Sequence, residues 1–148
     1  MQFGLMLRSQ YPKEADLQVC FSNILEQVVK AEELGFSSIT KGSHYSTYPL
    51  NSFQQIPFLA RISAEAPSLR FNAGIVLLPL HKPLDIAEQI ATLDIMTNGK
   101  IIFGAGLGYR DVEFKAFGTL QKDRVKRLEE NLIAIKRLWT EEKVSMTA

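Results

Sequence analysis

The 148-residue chain contains one cysteine, Cys20, so no intramolecular disulfide can form. No apolar run approaches the roughly 20 residues that a membrane-spanning helix needs. Charge of one sign is also lacking. Lys and Arg number 17 against 16 Asp and Glu, which gives no electrostatic footprint for nucleic acid or an anionic membrane. The start, Met1-Gln2-Phe3-Gly4-Leu5, has neither a basic n-region nor a long apolar h-region and does not read as a signal peptide. These absences point to a reducing, cytoplasmic setting.

What is present suits one domain over residues 1–148. Apolar residues make up 46% and charged residues 22%, ordinary for a globular protein with a real core. Short apolar runs predict strands at Phe3–Leu7, Ser38–Lys41, Phe71–Leu78 and Ile101–Ala105. Three of them are apolar at nearly every position, the pattern of strands covered on both faces in a parallel sheet.

Helical periodicity fills the gaps between the strands. Phe21, Ile24, Leu25, Val28, Ala31 and Leu34 recur at helical spacing, and Gly35 stands where a left-handed residue would close that helix. Cys20 falls in the same helix and reads as a small buried hydrophobe. A second helix is predicted over about 53–66. A third opens at Pro83 and ends at Asn98-Gly99. The last carries Val125, Leu128, Leu132, Ile135 and Trp139 on one stripe. After Trp139, residues 140–148 suggest no further element. Strands spaced by about 30 to 34 residues are the signature of βαβ units in an α/β fold. By pattern alone, four units fit either a small open doubly wound sheet or half of a (β/α)8 barrel. A closed barrel takes eight units and typically about 250 residues.

In either fold the ligand face is at the C-terminal ends of the strands. The candidates there are Arg8, Ser9 and Gln10 after the first strand, and Ser43, His44 and Tyr45 after the second. Asn72, Ala73 and Gly74 lie in the third strand, with His81 beyond it, and Gly106 to Arg110 follow the fourth. Both histidines of the chain fall on this face, His44 among polar residues and His81 just before a helix. Neither has the partners of a metal site. Gly74, Gly104, Gly106 and Gly108 fit either close backbone packing or room for a flat ligand. The run Gly104-Ala105-Gly106-Leu107-Gly108-Tyr109 is not a dinucleotide fingerprint, because its third glycine comes one position early. Asp111 and Glu113 read as solvated loop carboxylates, and Arg124, Lys126 and Arg127 as a solvated helix face. No Gly-x-Ser-x-Gly elbow and no Walker loop occurs.

The run from Leu77-Leu78-Pro79-Leu80-His81-Lys82-Pro83 through Ala87-Glu88, Leu93-Asp94 and Asn98-Gly99-Lys100 to Gly104-Ala105-Gly106-Leu107-Gly108-Tyr109-Arg110 resembles the luciferase-like monooxygenase family. Glu113-Phe114-Lys115-Ala116-Phe117-Gly118, Arg127-Leu128-Glu129-Glu130, and upstream Ala31-Glu32-Glu33-Leu34-Gly35-Phe36 and His44 extend the likeness over essentially the whole chain. The resemblance implies the N-terminal half of a (β/α)8 barrel, with four parallel strands in sequential order. It implies a flavin at the C-terminal face. Most members use reduced FMN and O2 to oxygenate a small organic substrate, some with a flavin reductase as partner, whereas one branch uses the deazaflavin F420 to move hydride. By position, His44 would be catalytic, and Ala73, Gly74, Gly106 and Leu107 would border the cofactor.

Two departures bear on the reaction. Ser43 and Tyr45 flank His44 where some members carry an acidic residue or a second histidine, and Leu107 stands where some carry arginine. The family's main phosphate-binding elements come from later strands, so a missing C-terminal half or homo-oligomerisation is the expected route to a complete site.

Overall fold

The computed structural model describes residues 1–8 and 10–145. Four strands, β1 (Gly4–Met6), β2 (Ser38–Lys41), β3 (Arg70–Leu77) and β4 (Ile101–Gly106), alternate with helices. These are α1 (Leu17–Glu33), α2 (Gln55–Ser63), α3 (Pro83–Met96), α4 (Asp111–Ala116) and α5 (Arg124–Thr140). Every strand pairing is parallel and the order is β1-β2-β3-β4. This is the sequential order of half a barrel. The ladder reaches one residue past β1 at each end, through Ser37 N–H to Phe3 C=O (2.7 Å) and Leu7 N–H to Thr40 C=O (2.9 Å).

Local chemistry explains the boundaries. Asp16 caps α1, its Oδ1 accepting from the N–H groups of Gln18 (2.9 Å) and Val19 (3.2 Å), which satisfies two otherwise unpaired donors of the first turn. Gly35, at φ +77°, lets Phe36 N–H return to Ala31 C=O and close the helix as its sequence predicts. Asn98 and Gly99, both at positive φ, end α3 in the same way.

The strand faces divide the labour. Leu5, Leu7, Ile39, Phe71, Ala73, Val76, Phe103 and Ala105 pack into the core with Ile24, Val28, Ala31, Phe58, Leu59, Ile62, Ile86, Ile90, Leu93 and Ile135 from the helices. The opposite, inner face carries a row in register across all four strands: Met6, Thr40, Asn72 and Ile102. It stays open, with Met6 67% and Ile102 37% exposed. Between Gly74 and Val76 the pairing of β3 with β4 shifts register, and the Gly74–Ile75 peptide is cis.

Cys20 is half-buried against the core instead of fully buried. The region after β4, read from sequence as loop, contains the short helix α4. Ser9 and residues 146–148 lie outside the described residues. No described helix is long and apolar enough to cross a membrane.

Candidate functional site

Parallel pairing brings the C-terminal ends of β2, β3 and β4 together. The connections that follow them interlock around one buried carboxylate, Glu113 of α4, which is 1% exposed. Its Oε1 accepts the backbone N–H of Tyr45 at 2.9 Å and Arg110 Nη1 at 3.2 Å. The same guanidinium donates to the carbonyls of Tyr45 (2.8 Å) and Ser46 (3.2 Å). An arginine–carboxylate pair thus clamps both the N–H and the C=O of the residue that follows His44. Charge-assisted bonds of this kind are the strong ones.

His44 points its Nδ1 at this pair. The atom is buried and makes no hydrogen bond of normal geometry. It stands 3.5 Å from Glu113 Oε1, while the side chain as a whole is 28% exposed. The accessible part of the ring is therefore the edge away from Nδ1.

A second cluster backs the first. Tyr45 Oη lies 3.2 Å from His81 Nε2, and Phe117 stacks edge-on against both rings, at 4.7 Å from Tyr45 and 5.3 Å from His81. Burial is the main influence on each titratable partner. It pushes the Tyr45 phenol above its ordinary range, with Glu113 and Asp85 adding to the shift and Ser43 opposing it. It pushes the His81 imidazole below its ordinary range, with Asp85 opposing. Burial thus favours the protonated phenol and the neutral imidazole, and the imidazole tautomer sets which of the two donates. Asn131 of α5 fixes the turn that carries His81, its Nδ2 donating to the carbonyls of Leu78 (3.0 Å) and His81 (3.2 Å). A cavity of about 230 Å³ opens beside these rings, lined also by Gln55, Asp85, Ile86 and Gln89. It lies towards α2 and α3, on the outer side of the sheet.

The other sequence candidates take distinct places. Gly74 and Gly106 lie towards the C-terminal ends of β3 and β4. A Cβ on Gly74 would meet Asn72 Nδ2 at 2.9 Å and Thr40 Cγ2 at 3.0 Å, and one on Gly106 would meet Ile75 Cδ1 at 2.1 Å. Side chains of the protein itself therefore fill the space beside these two glycines. Ala73 is fully buried and packs in the helix-facing core, on the opposite face from Asn72. Leu107 is half-buried just past β4. Arg8 sits over the Tyr11 ring, 5.8 Å from its centroid.

Two polar residues did not stand out in the sequence. Glu113 is buried, not solvated as a loop carboxylate would be, whereas Asp111 is exposed and paired with Lys115 at 2.6 Å. The Arg110–Glu113 spacing of three, one helical turn, was the available signal. Lys41, at the end of β2, is fully buried, donates to Gly42 C=O at 3.0 Å and lies 5.4 Å from the centroid of Phe58. The basic residues of α5 are not uniformly solvated either, since Arg127 Nε donates to Pro79 C=O at 2.6 Å.

The comparisons with known proteins bear on the fold and the family. Limonene 1,2-monooxygenase of Rhodococcus erythropolis is 28% identical over 145 residues, 98% of this chain and 38% of that protein. F420-dependent glucose-6-phosphate dehydrogenase of Amycolatopsis mediterranei is 31% identical over 95% of this chain and 44% of its own length. Among solved structures, the oxygenating constituent of 3,6-diketocamphane monooxygenase from Pseudomonas putida, in complex with FMN, superposes with a TM-score of 0.89. It covers 100% of this chain and 42% of that one, and at 20% identity it speaks to the fold alone. The chain spans less than half the length of each of these three relatives. The sequence model of the luciferase-like monooxygenases matches residues 1–148 from end to end, and the chain belongs to that family.

Proposed function

We propose that this chain is the first half of the catalytic barrel of a flavin-dependent oxidoreductase that uses reduced FMN and O2 to oxygenate a small organic substrate. The observation that carries this reading is the meeting of His44 with the β4–α4 connection, at the end of a parallel sheet where barrel enzymes hold their ligands.

The residues present fit a planar cofactor. Asn72 and Ile75 close the space directly beside Gly74 and Gly106, so the surface a flat ring would meet at the inner ends of β3 and β4 is that of these two side chains. Ile75, 41% exposed, offers apolar surface there. Asn72 Oδ1 is a buried acceptor without a protein partner, as a ring N–H would require. His44, Ala73, Gly74, Gly106 and Leu107 are the residues that would border the cofactor, Ala73 through its backbone. The bound flavin supplies the redox chemistry. The protein's part is to hold or move a proton at the accessible edge of His44, and to wall off water with Tyr45, His81 and Phe117.

A second reading is hydride transfer with F420, favoured by the dehydrogenase relative at 31% identity. Under both readings, the open inner face and the unpaired outer edges of β1 and β4 are completed by a further half-barrel or by a second copy.

Adding FMN or F420 to the purified chain and following cofactor fluorescence separates the readings, with oxygen uptake measured when reduced FMN is regenerated by a reductase. Preferential quenching of FMN, with oxygen uptake above that of reduced FMN without the protein, supports the first, and preferential quenching of F420 supports the second. Binding without turnover marks a flavin-binding half-barrel, and failure of both cofactors to bind, to the chain alone and to its assembly with a second copy or half-barrel, contradicts both readings.

A further inference from the structure

We propose that Glu113 is a positioning residue for His44, holding the neutral imidazole as the tautomer with its proton on Nδ1 and so leaving a lone pair on Nε2 at the ring's accessible edge. This rests on the reading of His44 as the proton-handling group, but it concerns this chain alone and is measurable without cofactor.

Nδ1 of His44 is out of contact with solvent and has no hydrogen-bond partner of normal geometry. Buried polar atoms seldom stay unpaired. The group it faces is a carboxylate oxygen 3.5 Å away. In the tautomer protonated at Nε2, Nδ1 would turn a lone pair towards that oxygen, acceptor against acceptor. In the tautomer protonated at Nδ1, an N–H dipole faces the negative charge. At this depth the attraction is several times stronger than in water, so the second arrangement wins.

The 3.5 Å separation has its own cause. Oε1 already accepts two bonds, from Tyr45 N–H and Arg110 Nη1, and a third donor is held at the margin of the oxygen's capacity. Arg110 matters in two further ways. It balances the carboxylate, so the imidazole need not be charged to sit there. It also fixes the backbone carbonyls of Tyr45 and Ser46. The residue next to His44 is therefore held at both its N–H and its C=O, and the ring has a fixed stem. A histidine whose second nitrogen is set by a carboxylate is the usual way to present a basic Nε2.

The test is a long-range ¹H–¹⁵N correlation spectrum of the 148-residue chain with the imidazoles neutral. The chain has two histidines, and His44→Asn assigns them. The expected wild-type pattern is the Nδ1–H tautomer at His44, in excess by about tenfold or more. In Glu113→Leu, which keeps the bulk and removes the acceptor, the ratio swings towards Nε2–H by about tenfold. His81 resonances that stay in place show that the fold is retained.

A wild-type His44 protonated at Nε2 overturns the proposal, whatever becomes of the variant. So does a Glu113→Leu chain that is folded yet keeps the wild-type ratio. If the tautomer is as stated while neither FMN nor F420 binds, the functional reading fails and the positioning role stands.

Discussion

Asn131 and His81 lie fifty residues apart in the chain, yet the amide of Asn131 donates to the carbonyl of His81 at 3.2 Å and to that of Leu78 at 3.0 Å. One buried side chain of α5 thus holds the turn that ends β3 and presents His81 to Tyr45. Asn131→Ala removes the amide donor from both carbonyls and leaves that of Leu78 with the His81 N–H alone. The expected loss is about 1–3 kcal/mol of stability, read as a lower urea midpoint, together with a changed Tyr45 environment in near-ultraviolet circular dichroism. An unchanged midpoint would mean that water replaces the amide at no cost.

Lys41 is a destabilising element at neutral pH. Burial lowers its pKa from 10.5 to about 8, and it is fully enclosed with one backbone acceptor. The unfolded chain therefore binds this proton more tightly than the folded one. The penalty is fully present below pH 8, and stability rises as pH climbs from about 8 towards 10.5. Lys41→Met keeps the apolar stem and removes the charge. At pH 7 it raises stability by roughly 1–3 kcal/mol, and the gain shrinks towards zero near pH 10.5. Urea titrations of both chains at several pH values check this. A gain that does not change with pH would assign the effect to packing instead of charge.

Gly104 and Gly106 separate two kinds of crowding. A Cβ on Gly104 would meet the backbone oxygen of Ala73 at 2.9 Å and Gly74 Cα at 3.4 Å, atoms fixed by strand pairing. On Gly106 it would come closer still, to 2.1 Å, but to the far end of the Ile75 side chain, which has the open inner face to move into. Gly104→Ala therefore costs about 1–3 kcal/mol. Gly106→Ala stays within about 1 kcal/mol of the parent, since the lost glycine freedom of the unfolded chain offsets part of the strain. Thermal unfolding of both variants decides the order. A more damaged Gly106→Ala would show that Ile75 is wedged in place.

Much of this fold was legible in the sequence because the signals were local. Phe71–Leu78 and Ile101–Ala105 are apolar on both faces, and Gly35 and Asn98-Gly99 carry the positive-φ residues that stop helices. The sequential strand order followed from the resemblance of residues 77–118, which periodicity alone could not separate from an open sheet. The site was legible only in outline. Glu113 looked like a solvated loop acid because its burial depends on Tyr45, 68 residues away, and on an arginine folding back one turn. Lys41 closed an apolar strand without any local sign that its amine would be enclosed by α2. The glycines suggested room for a flat ligand, whereas Ile75 and Asn72 fill the space beside Gly106 and Gly74.

The proposed cofactor site lies on the C-terminal ends of β2 to β4. Backbone amide shifts of the ¹⁵N-labelled chain, recorded while FMN and then F420 are titrated in, test it most directly. A cofactor held there perturbs residues 43–45, 72–75 and 105–108, and perturbs them less in His44→Asn. Perturbations confined to the opposite end of the sheet, or to the outer groove between α2 and α3, would contradict it.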